Sequence, residues 1–105
     1  MNQYLYSIKL YDTKQDGWNN NYINIRTNSN YIINNLTLNY NDNIDGINTK
    51  EYHFMCDDTS IYIEYFNSGF YSYENYYELY YNNKLVYSSN FGSSPETLVN
   101  INIKN

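Results

Sequence analysis

The segment Tyr11–Asn20, YDTKQDGWNN, places two carboxylates, a glycine and the chain's only tryptophan within ten residues. Asp12 and Asp16 flank a tight loop between two strand-like runs, and Gly17 supplies a backbone position that other residues dislike. A hard cation such as Ca²⁺ takes about six to eight oxygens from carboxylates, carbonyls and amides. Asp12, Asp16, Asn19 and the loop carbonyls offer several of them. The spacing is not that of an EF-hand, because no glutamate stands where that loop needs its bidentate ligand. The competing reading is an Asp-capped turn with Trp18 folded over the edge of the core. Both readings stand open on local sequence.

Other chemistry finds less support. His53 is the only histidine and alternates with Tyr52 and Phe54 in a strand pattern, so it reads as solvent-facing or structural. Cys56 lies three residues on and points to the opposite strand face, so the two form no dyad. Glu64, Glu74 and Glu78 are acids of the type that glycoside hydrolysis uses in pairs, yet Glu is also the ordinary solvent-face residue. No G-x-S-x-G, zinc spacing or phosphate loop occurs. The chain is therefore expected not to be an enzyme. The run Phe70–Tyr77 is aromatic enough to leave rings exposed. Tyr71, Tyr73, Tyr76 and Trp18 are candidate ligand-binding rings, since an aromatic face packs on the C–H surface of a sugar. Exposed tyrosine serves protein contacts equally well, and the plainer reading packs these rings in the core and along sheet edges.

The elements that must position these residues read as strands. Helical periodicity is nearly absent, whereas Tyr, Ile, Phe, Val and Thr favour a pleated, half-buried surface. Period-two runs span 4–11 (Tyr4, Tyr6, Ile8 and Leu10 on one face), 21–27 (Ile23, Ile25), 31–40 (Leu36, Leu38, Tyr40) and 49–56 (Tyr52, Phe54, Cys56). They continue over 60–66 (Ile61, Ile63, Tyr65), 75–81 (Tyr77, Leu79, Tyr81), 84–88 (Leu85, Tyr87) and 97–104 (Val99, Ile101, Ile103). Turn clusters separate them at Asp12–Asn20, Asn41–Gly46, Asp57–Thr59, Asn67–Gly69 and Ser88–Pro95. Asn82-Asn83 between two runs reads as a tight hairpin. Eight strands at this spacing predict one all-β domain over 1–105, an antiparallel β-sandwich of jelly-roll-like character.

Composition narrows the partners. The chain has 105 residues and a formal net charge of −5, with only six Lys and Arg, all scattered. That opposes nucleic acid, whose binders carry a basic patch. No stretch approaches the length of a membrane span. No signal-peptide pattern opens the chain, and a single Cys excludes an internal disulfide. Synthesis in a reducing cytoplasm is expected. Ala is absent and Asn makes up about a fifth of the chain. Asn, Tyr, Ile and Lys are read from AT-rich codons, which points to an AT-rich genome such as that of a giant DNA virus, a slime mould or a related parasite, the viral case implying incorporation in a virion.

The chain also carries a resemblance. Asp12-x-x-x-Asp16-Gly17-Trp18-Asn19, preceded by the strand YSIKLY, resembles the D-S-Y-G-D-G-W-N-G signature of a widespread β-rich domain family of secreted and surface proteins in algae, oomycetes, diatoms and bacteria. The later run Ser68-Gly69-Phe70-Tyr71-Ser72-Tyr73-Glu74-Asn75-Tyr76-Tyr77-Glu78-Leu79 is similar to that family's S-G-x-Y-x-S-E-I-S-W-x-L. Order and spacing match from Tyr4 to about Ile103. Leu5 and Ile61 stand where the family has Cys, Tyr77 where it has Trp, and Gln15 and Asn20 where it has Gly. The lost cysteines look like a disulfide-stapled extracellular domain rebuilt for a reducing compartment. The resemblance implies a β-sandwich with an adhesive or accessory role and no established activity. It further implies that Glu74 approaches Asp12 and Asp16, since both motifs lie at loop ends. Three converging carboxylates repel unless a cation or hydrogen bonds compensate.

Two functional readings follow. One is a non-enzymatic interaction or structural module, viral and particle-associated, acting through a protein partner or self-association. The other is a calcium-dependent carbohydrate or surface-binding module with Asp12, Asp16, Asn19 and Glu74 at the metal.

Overall fold

The computed structural model describes residues 4–14, 16–28, 30–44, 47–56, 58–89 and 91–103. Gln15, Asp45, Gly46, Asp57, Asn90 and Lys104, which entered the turn and strand assignments, lie outside the described residues.

The strands are β1 (Tyr4–Asp12), β2 (Tyr22–Arg26), β3 (Tyr31–Leu36), β4 (Asn43–Ile44), β5 (Ile47–Cys56), β6 (Ser60–Phe66), β7 (Asn75–Tyr81), β8 (Lys84–Ser88) and β9 (Leu98–Asn102). Single 3₁₀ turns occupy Tyr40–Asp42 and Ser72–Glu74. Backbone hydrogen bonds build a five-stranded sheet in the order β4-β5-β1-β7-β8 and a four-stranded sheet in the order β3-β2-β6-β9. The pairs are antiparallel. The expected all-β sandwich is the fold found.

Its cause is the period-two alternation, which sends one set of side chains inward along each strand. Tyr6, Ile8 and Leu10 of β1 face Ile23, Ile25, Ile61 and Ile63 of the other sheet in a core where all of these are fully buried. Each fully buried aliphatic side chain contributes roughly 1.5–3 kcal/mol. Tyr6 fixes the middle of its sheet: the register puts it between Phe54 and Tyr81, and its ring stacks on Phe54 at 5.1 Å between centroids.

Two local expectations fail. The run 31–40 does not stay a strand. Asn35 adopts φ 63, β3 ends at Leu36 and the chain turns into the 3₁₀ segment, although Leu38 is still buried. Leu85 does not share a face with Tyr87. A register shift at Leu79/Tyr80 turns Leu85 out to 49% exposure and packs Val86 with Tyr87 against the core. The Asn82-Asn83 hairpin forms as read, with φ 49 and 65 at its two residues, the left-handed pair that a two-residue turn requires.

The β1–β2 and β6–β7 connections each run from one sheet to the other and lie side by side at one end of the sandwich. The Phe70 N–H donates to Asn19 O at 3.1 Å, and the Thr13 N–H donates to Glu74 O at 3.0 Å.

Candidate metal centre

Asp12 ends β1 on the core-facing side of the strand, in register with Asn75 of β7. The loop that follows folds around its carboxylate. Oδ1 accepts from the Lys14 N–H at 3.1 Å and Oδ2 from the Asp16 N–H at 2.7 Å. This is the side-chain turn that Asp favours, and it carries Asp16 back toward the strand end. Gly17 adopts φ 90 and donates its N–H to the buried Asn48 Oδ1 at 2.8 Å, so the loop is pinned from below. Glu74 arrives from the other loop at the end of the second 3₁₀ turn. Its N–H donates to Tyr71 O at 2.9 Å.

The three carboxylates meet. One oxygen from each of Asp12, Asp16 and Glu74 lies within 4.8 Å of the others. Asp12 and Glu74 are 5% exposed, while Asp16 opens to solvent. Glu74 Oε1 is buried and accepts no hydrogen bond among the described residues, and neither does the adjacent Asn75 Oδ1. An acceptor buried without a donor costs about 1–3 kcal/mol, and more if charged, so it marks a place for a cation, a proton or water. Burial raises the Glu74 carboxyl above its ordinary range, and the Asp16 and Asp12 charges add to that, with Lys14 opposing. Burial likewise raises Asp12, with Asp16 contributing, against the lowering effect of its backbone donors. Burial and mutual repulsion thus hold both carboxyls toward the protonated form.

Asn19 is placed differently from expectation. Its Nδ2 approaches Asp16 Oδ1 at 3.5 Å and donates to Gly17 O at 3.2 Å. In this arrangement the amide turns its nitrogen toward Asp16.

Of the candidate rings, Trp18 is corrected outright. It is fully buried and cannot present a face to a ligand. Its Nε1–H donates to Tyr11 O at 2.8 Å, its edge meets Tyr65, and it plugs the sandwich beneath the acidic loop. Tyr76 is half-buried, stacked on Tyr11 at 4.6 Å. Tyr71 and Tyr73 stand 54% and 53% exposed beside Phe70 at 71%. Tyr71 also has φ 57 and ψ 39, a left-handed conformation that costs a bulky residue about 1–3 kcal/mol.

Two residues that join the loops were missed. Asn21 is fully buried. Its Nδ2 donates to Trp18 O and Phe70 O, and its Oδ1 accepts from the Gly69 N–H. Gly69 lies so close to the chain at Asn19 that a Cβ there would collide with the Asn19 carbonyl. In a chain where Asn is everywhere, nothing sets Asn21 apart. The signal for Gly69 was its place in the second motif.

The remaining chemical groups do not converge on this end. His53 pairs with Glu51 at 3.0 Å on the outer face of β5, with Cys56 buried on the inner face. Glu64 pairs with Arg26 at 2.9 Å on one sheet, and Glu78 accepts from Tyr11 and Tyr80 on the other. Lys50 lies 3.8 Å from Asp42. Among the described residues no helix is long and apolar enough to cross a membrane. No protein-family model, curated protein or solved structure matches this chain.

Proposed function

We propose that the protein is a non-enzymatic β-sandwich interaction module whose binding end is organised by a divalent cation at Asp12, Asp16 and Glu74, with calcium the preferred ion. One observation carries the reading: the Glu74 carboxyl, buried and without a hydrogen-bond donor at Oε1 among the described residues, converges with two further carboxylates. A divalent ion neutralises most of that charge. Calcium suits the site better than magnesium because its coordination is flexible and tolerates irregular oxygen sets, whereas Mg²⁺ demands near-octahedral geometry. The solvent-facing side of Asp16 leaves room for water or a ligand oxygen.

Thermal unfolding in calcium and in EDTA tests this. A ligand that binds only the folded state adds RT ln(1 + [L]/Kd), about 2.7 kcal/mol at one hundred times Kd, which is on the order of 10 °C for a domain this size. Wild type is expected to melt higher in calcium, with a smaller gain in magnesium, and Asp16→Ala is expected to lose the gain. A wild-type melting point that is the same in calcium and EDTA sinks the proposal.

A further inference from the structure

We infer that the turn Phe70–Tyr73 is a platform for neutral carbohydrate, locked in its binding shape by the cation centre. The inference rests on the cation reading above and names the ligand class of that end of the molecule.

Three observations carry it. First, Phe70, Tyr71 and Tyr73 are all more than half exposed, and the residues between and after them, Ser72 and Glu74, are buried. The turn thus turns its rings out and anchors its polar groups in. Second, Tyr71 keeps a left-handed backbone at a position where glycine or asparagine would be relaxed. A bulky ring held there against its own preference marks a side chain retained for contact. Third, the turn is tied to the centre by backbone bonds, from the Glu74 N–H to Tyr71 O and from the Thr13 N–H to Glu74 O. Fixing the Glu74 carboxylate therefore fixes the turn.

The occupant follows from size, shape and charge. Three half-exposed aromatic rings offer roughly 300 Å², well short of the about 800 Å² per partner that a stable protein interface buries. A few sugar units fit that area. The rings are tilted, by 51° between Phe70 and Tyr71 and by 84° between Tyr71 and Tyr73, with centroids 6.5 and 6.3 Å apart. They form a stepped surface that grips separate sugar rings and does not lie flat on a crystalline polymer. Anionic ligands are disfavoured. The chain carries −5 overall, three carboxylates outweigh one divalent ion at the centre, and Arg26 and Lys50 sit beside acids elsewhere. A neutral sugar brings apolar C–H faces for the rings and no charge to repel.

The test is affinity electrophoresis through gels cast with mannan, dextran, laminarin or xylan, in calcium and in EDTA, with melting points recorded on the same samples. Wild type is expected to be retarded by at least one of these neutral polysaccharides in calcium and released in EDTA. Tyr71→Gly is expected to melt higher than wild type, because the strain is gone, and yet to bind about tenfold more weakly. Tyr73→Ala, at an exposed position, is expected to weaken binding without lowering the melting point. Retardation by none of the four, with the calcium shift in melting point intact, overturns the carbohydrate inference and leaves the cation reading standing. Retardation that persists in EDTA overturns the lock. Binding to polygalacturonate or to phosphatidylserine vesicles in place of neutral polysaccharide overturns the assigned ligand class.

Discussion

Glu74 concentrates the energetics of the site. Its carboxylate is buried, lacks a donor at Oε1 and is pushed toward the protonated form by burial and by two like charges. Without a cation it opposes folding near neutral pH. Because the folded protein holds this proton more tightly than the unfolded chain, stability falls as pH rises above the ordinary carboxyl range. Glu74→Gln keeps the shape and removes the charge. In EDTA at pH 7 it is expected to melt higher than wild type, by about 1–2 kcal/mol of stability. In calcium it is expected to melt lower than wild type, since the proposed cation site loses a carboxylate. Differential scanning calorimetry under the two conditions reads this inversion, and a variant that melts lower in both contradicts the cation role. Asp12 and Asp16 were legible because they sit in one loop. Glu74 lies 62 positions from Asp12 by their numbering and emerged only through the second motif. Trp18 was legible as one of two readings, and the one that folds it over the core is borne out, against the one that made it a binding ring. What decides it is the carbonyl of Tyr11 near the end of β1, a partner that the folded loop brings within reach.

At the scale of elements, the site exists because two loops are pressed together at Gly69. A Cβ on Gly69 would strike the Asn19 carbonyl and come within 2.8 Å of its carbon and 3.0 Å of the Asn20 carbon. These are backbone atoms and cannot swing aside. Gly69→Ala must therefore part the loops, stretching the Phe70-to-Asn19 bond and the Asn21 bridge. The expected cost is about 3 kcal/mol, at the upper end of overpacking effects. It should appear as a lower urea midpoint at unchanged slope together with a weakened calcium response. A fall in stability with calcium affinity intact would mean that the loops position nothing. The strands were legible wherever alternation was uninterrupted, as in β1 and β6. They failed at Asn35 and at the β7–β8 irregularity, because a left-handed residue or a bulge shifts the alternation by one without altering the residue types around it.

For the whole molecule, the two-sheet class was readable and the strand order was not. Alternation reports which face is buried, and the neighbour across the sheet is chosen by contacts far apart in sequence. Nor did composition alone show what so many tyrosines do. The structure divides them. Tyr6, Tyr65 and Tyr77 fill the core. Tyr11 and Tyr80 share the Glu78 carboxylate through their hydroxyls, and Tyr71 and Tyr73 face solvent. The buried and acid-paired phenols are held in the neutral form. Burial raises Tyr11, Tyr65, Tyr76, Tyr77 and Tyr87, and a hydrogen bond to Glu78 raises Tyr80. The folded state keeps these protons at a pH where the unfolded chain, with phenols ionising near 10, has begun to release them. Their contribution to stability is therefore complete below about pH 10 and is lost as the pH climbs beyond it. Absorbance titration at alkaline pH is expected to show these phenols ionising late and together, at the same pH at which the circular dichroism of the sheets collapses. In guanidinium all sixteen tyrosines should titrate in one step near 10. If the late phenols ionise before the sheets are lost, they are not locked in the fold, and the aromatic core is looser than its packing implies.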